Sequence, residues 1–160
     1  MTDYSGVRLG AEHIDRLRSF LLGDSAGTQE PGNPADKSDL IANTLMIYAA
    51  FAVAVRRKFS PTYTLHQIIQ YVAELRIALM RDATVIDPGV TESIIRTALG
   101  DASVDKDSQV DTRKAVRAEL AVLEDLLSES VADQPGLEEF LQDAEGFARQ
   151  WLARQQASAG

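Results

Sequence analysis

Between Leu40 and Val55 the chain runs for sixteen residues without a charge (LIANTLMIYAAFAVAV) and then meets Arg56, Arg57 and Lys58. The run is short of the about 20 residues that a bilayer span needs, and too apolar around its circumference for a helix with one wet face. It predicts a buried central helix over about 38–59, with Asp36 or Ser38 as N-cap, basic residues at the negative end of the helix dipole and Ser60-Pro61 as the stop. Ala42, Ala49, Ala50, Ala52 and Ala54 allow neighbouring helices to approach closely. An intramolecular core explains this most simply, and a homodimer interface that completes the burial is the alternative. A membrane-inserted hairpin is opposed by the lack of a second long apolar segment.

The remaining pattern is helical throughout. Ile14, Leu17 and Leu21 sit at helical spacing in a first helix over about Gly10 to Leu22. Residues 23–37 (GDSAGTQEPGNPADK) hold three glycines and two prolines with little to bury, and predict a flexible loop. Thr64 and Gln67 form a capping box ahead of Leu65, Ile68, Ile69, Val72, Leu75 and Leu79, a helix ending near Asp82. Asp87-Pro88 opens a short helix to Leu99, with Gly100 in the place of a left-handed C-cap residue. A helix over roughly Thr112 to Val131 is expected to bury Val116, Leu120, Leu123 and Leu127. The last helix, from Gln134-Pro135, carries the cleanest stripe: Leu137, Phe140, Leu141, Ala144, Phe147, Ala148, Trp151 and Leu152.

No segment alternates as a strand does, and neither a repeat of 20 to 50 residues nor a sustained heptad is present. The fold class expected is all-α: about six helices in an antiparallel bundle around the buried central helix, in a single domain over 1–160 with frayed ends at 1–8 and 155–160.

Composition narrows the functions more than it names one. A net charge of -8 opposes non-specific attraction to nucleic-acid phosphates and anionic lipid. The absence of cysteine removes disulfides, thiolate metal sites and cysteine nucleophiles. The first residues have no basic start followed by an apolar run, so a cytoplasmic location is expected.

Candidate chemistry is sparse. His13 and His66 are the two histidines, and neither stands in a metal-binding spacing. The acidic loop Asp101 to Thr112 spaces oxygen donors like a calcium loop, but has Lys106 where the turn requires glycine and Thr112 where a bidentate glutamate is needed. Arg56, Arg57 and Lys58, joined by Arg76 and Arg81 on the next helix, form a basic cluster for an anion or an acidic partner segment; as cations at a helix end they also stabilise the helix without any ligand. Tyr48, His66, Tyr71 and Glu74 are candidates for a polar pocket between the helices at 38–59 and 64–82. Phe140, Phe147 and Trp151 are candidates for an interface, unless the last helix simply docks on the core.

No phosphate-binding glycine loop, nucleophile elbow or histidine-based triad can be assembled, and no family signature can be quoted residue by residue. No metal or cofactor is expected. The sequence therefore favours a small, soluble, non-enzymatic helical protein that binds another protein or itself, with a ligand-binding helical regulator as the alternative. Nucleic acid and membrane are disfavoured as partners.

Overall fold

The computed structural model describes residues 4–21, 37–59, 62–80, 86–100, 112–130 and 134–158. Among them the protein is all-α, with six helices: α1 Ala11–Leu21, α2 Lys37–Lys58, α3 Leu65–Met80, α4 Pro88–Ala98, α5 Thr112–Ser130 and α6 Gln134–Ser158. Residues 22–36, the calcium-like loop at 101–111, Ser60-Pro61 and Arg81 lie outside the described residues, as do the side chains of the expected α2 N-caps. The chain divides into two compact units, Met1–Ala50 with Asp133–Gly160, and Phe51–Ala132, and the division falls inside α2.

The helix ends form where the local sequence satisfies the amides that a helix leaves without partners. At α3 the capping box is reciprocal: Thr64 N–H donates to Gln67 Oε1 at 2.9 Å and Gln67 N–H to Thr64 Oγ1 at 3.3 Å. At α4, Asp87 accepts from Val90 N–H at 3.0 Å, with Pro88 in the first turn. The same helix closes at Gly100, whose φ of 83° is open to glycine and strained for other residues. At α1 a histidine does the work of the usual glutamate: Gly10 N–H donates to His13 Nδ1 at 3.0 Å. That bond leaves the proton of a neutral imidazole on Nε2.

In the unit containing both chain ends, α1 packs on α6. Arg18 grips Glu138 with two nitrogens, Nε at 2.6 Å and a terminal nitrogen at 2.9 Å, and also pairs with Asp15. Of the ends expected to fray, 1–3 and 159–160 lie outside the described residues. The rest are tied together. Gln156 Nε2 donates to the carbonyls of Tyr4 and Val7 at 3.0 and 3.1 Å, and Tyr4 meets Trp151 edge-on at 5.2 Å.

In the other unit α4 packs against both α3 and α5. Phe51, Val55, Ile68, Val72, Ile95, Val122 and Leu123 are fully buried there. Arg56 Nε caps the end of α4 by donating to the Ala98 carbonyl at 3.0 Å. The buried arc of α5 is turned from the expected one: Leu123 and Leu127 are buried, but Val116 and Leu120 are half-exposed. The small Ala118 and Ala121 enter the contact in their place, together with Val122, Leu126 and Glu119. No helix among the described residues is long and apolar enough to cross a membrane.

Candidate functional site

Helix α3 carries most of what is chemically notable. Its inner arc, Ile68, Val72 and Leu75, is buried. Beside that arc the Tyr71 hydroxyl donates to Asp125 of α5 at 2.9 Å, its ring meets Phe59 edge-on at 5.7 Å, and Lys58 Nζ lies 5.8 Å from the ring centroid. A hydroxyl bonded to a carboxylate is among the stronger neutral-donor hydrogen bonds, so Tyr71 joins the end of α2, α3 and α5. Around it opens a shallow depression of about 330 Å³, walled by Lys58, Phe59, Tyr63, Gln67, Tyr71 and Glu74 among others.

Of the four residues expected to form a pocket, Tyr71 and Glu74 share this depression, where Glu74 accepts from Gln70 at 3.2 Å. His66 stands exposed on α3 and does not line it. Tyr48 belongs to the unit of the chain ends, where its ring lies 6.3 Å from that of Phe147. The basic run separates by role: Arg56 caps α4, Lys58 reaches the Tyr71 ring, and Arg57 is exposed. Of the proposed interface, Phe140 is fully buried, while Phe147 and Trp151 are half-exposed and meet Tyr48 and Tyr4.

The outer side of α3 is the larger surprise. Leu65, Ile69, Ile77 and Met80 are 49, 43, 62 and 73% exposed, and no other large apolar side chain among the described residues is so open. They are not scattered. Leu65, Ile69, Ala73 and Ile77 follow one another at intervals of four residues, with Met80 one turn on, and all five lie exposed on one side of the helix. The sequence stripe joins Leu65 and Ile69 with Ile68 and Val72; the structure splits it into a covered arc and a bare one.

A second feature that sequence reasoning passed over is Glu119. It is buried on α5, its Oε2 finds no hydrogen-bond partner, and burial pushes its carboxyl up to about 7. The signal was available, since Glu119 stands three residues after Val116 and four before Leu123, inside the apolar face. Among the described residues no group of three or more histidine, aspartate or glutamate side chains could hold a metal ion. No protein-family model, curated protein or solved structure matches the chain.

Proposed function

We propose that this protein acts by binding another protein chain, with the outer face of α3 as its contact surface and no chemistry of its own. The observation that carries the reading is the collection of Leu65, Ile69, Ile77 and Met80, every large exposed apolar side chain among the described residues, on a single helical face. Apolar side chains scattered singly over a surface are ordinary, but a contiguous stripe costs solvation until something covers it. An amphipathic helix that presents apolar anchors about one turn apart is also a common means of recognition. The test is a photoreactive phenylalanine analogue placed at Ile77 and, as a control, at the exposed Glu139 of α6. Irradiation in the cells that make the protein should give a discrete protein adduct from position 77 alone. Equal yields, or none, from both positions would refute the reading.

A second reading, a regulator that holds a small ligand, draws on the depression around Tyr71. Lys58 and Glu74 put opposite charges on its walls, which suits a small zwitterion. Thermal shifts against a panel of free amino acids would support it if one compound stabilises the protein and Lys58→Gln and Glu74→Gln each abolish the effect. A panel without any shift would remove it.

A further inference from the structure

We infer that Glu119 is a proton-held latch on α5: with its proton the side chain stays inside the contact with α4, and without it α5 parts from α4 and carries Asp125 away from Tyr71. The inference is independent of what the outer face of α3 binds.

The place of Glu119 on its helix sets the problem. At about 100° per residue, the buried arc of α5 runs from Ala121 through Ala118, Val122 and Leu126 to Leu123 and Leu127. Glu119, 6% exposed, falls between Leu126 and Leu123 and so lies at neither wet edge of that arc. The positions one turn away on either side, Ala115, Val116, Val122 and Leu123, are all apolar. Its Oε2 has no hydrogen-bond partner among the described residues. A neutral carboxyl with one idle oxygen is tolerated in such a place. An ionised one is not, because an unpaired charge costs far more to hold out of water than an unpaired polar group.

Among the described residues no charge offsets that cost. On α4, Asp87 caps its own helix and has Lys114 of α5 at 4.0 Å, while Glu92 and Arg96 are half-exposed. On α3, Tyr71 is bonded to Asp125, and Glu74 is exposed and accepts from Gln70. At the end of α2, Arg56 donates to the Ala98 carbonyl and Lys58 stands by the Tyr71 ring. On α5 itself Arg113, Arg117 and Glu124 are exposed. Burial is accordingly what raises the Glu119 carboxyl, with no charged neighbour contributing.

Helix α5 can leave without dismantling its unit. It packs on α4, and α4 packs separately on α3. To its contact α5 brings the small Ala118 and Ala121, while the larger Val116 and Leu120 stay half-exposed, so the apolar area given up on parting is modest. Asp125 rides on α5 about 9 Å along the axis from Glu119, and its bond to Tyr71 reaches across to α3. Parting breaks that bond, so proton loss at Glu119 is felt at the depression beside Tyr71. The carboxyl titrates near 4.5 when wet and about 7 when enclosed. The closed arrangement therefore has its full advantage below about pH 4.5 and loses it as pH rises to about 7, an increase of at most about 300-fold in the opening equilibrium.

Amide hydrogen exchange read by NMR, with the intrinsic pH dependence divided out, measures the opening of α5 in the native chain. Between pH 5 and pH 8 the protection of its amides at 118–127 should fall more than about tenfold. At pH 8 those amides should be at least about tenfold less protected than Ile68 and Val72 of α3. Urea below the unfolding transition should speed exchange in α3 and leave that of α5 nearly unchanged, because a local opening exposes little surface. The Tyr71 ring signals should move with the same midpoint as the Glu119 carboxyl observed by carbon-13. Glu119→Gln and Glu119→Leu should each keep α5 protected and the Tyr71 signals in place across this range. A Glu119 carboxyl that ionises while α5 and Tyr71 stay as they are, or that titrates near 4.5, would overturn the inference. So would equal protection of α3 and α5 at pH 8, which means that the unit unfolds as a whole, or an unchanged pH response in Glu119→Gln.

Discussion

Tyr71 on α3 donates its hydroxyl proton to Asp125 on α5, a bond of 2.9 Å between residues 54 apart in sequence. Its ring meanwhile rests against Phe59 just after α2. Tyr71→Phe keeps the ring and removes the bond, and should cost about 1 kcal/mol in denaturant unfolding. Tyr71→Ala removes the ring contact as well and should cost more. A double-mutant cycle with Asp125→Ala should return a coupling energy of about 0.5 kcal/mol or more; zero coupling would show that the two side chains do not act together.

Glu119 should set a pH dependence. Its carboxyl, pushed up to about 7 by burial, holds its proton more tightly in the folded chain than in the unfolded one, where it titrates near 4.5. Between those values the folded state binds more protons, so the contribution of this group to stability falls as pH rises from about 4.5 to 7 and stays lost above. Glu119→Gln removes the buried charge and should stabilise the protein at pH 8 by up to about 3 kcal/mol, since each tenfold change in proton affinity is worth about 1.4 kcal/mol. At pH 4 the two proteins should be nearly equal. A gain of the same size at both pH values would show that ionisation is not responsible.

Two neighbouring isoleucines report the division of α3 into covered and bare arcs. Ile68 is fully buried and Ile69 is 43% exposed. Ile68→Ala should cost about 2 to 5 kcal/mol, as large cavities in cores do, whereas Ile69→Ala should cost less than about 1 kcal/mol. Thermal or urea unfolding of the two variants side by side decides the matter, and equal losses would mean that both side chains are covered.

Much of the fold was legible because helix ends are written in local chemistry. Thr64 with Gln67, Asp87 with Pro88, and Gly100 announced their positions, and each makes the bond or adopts the dihedral that its residue type favours. The candidate surface was not legible for a physical reason. A helix as apolar as α3 has an arc wider than any one neighbour covers, and periodicity does not say which part stays bare. Leu65 and Ile69 therefore read as continuous with Ile68 and Val72. Tyr48 joined Tyr71 in an expected pocket because the first interrupts the apolar helix and the second lies off the main stripe of the next one, yet the Tyr48 ring lies against Phe147, far along the chain. Glu119 drew no notice because glutamates are usually solvated, and its burial depends on the arc that α5 turns inward.

Trp151 separates folding from binding. Its ring meets Tyr4 at 5.2 Å, and Gln156, further along the same helix, holds the carbonyls of Tyr4 and Val7. Trp151→Ala should loosen the segment from Tyr4 to Leu9, seen as faster amide hydrogen exchange there, while contacts made through α3 persist. Loss of binding with unchanged exchange at the N-terminal segment would return the interface to α6.

The most direct test of the surface uses two methionines. Met80 is 73% exposed on the outer face of α3, and Met46 is 1% exposed in α2. In protein labelled at the methionine methyls, NMR spectra recorded over a hundredfold concentration range, and then in lysate of the cells that make it, should show the Met80 signal shifting or broadening while that of Met46 stays in place. Movement with concentration alone identifies self-association, and movement only in lysate identifies another protein. A Met80 signal unchanged under both conditions would contradict the assignment of this face as the binding surface.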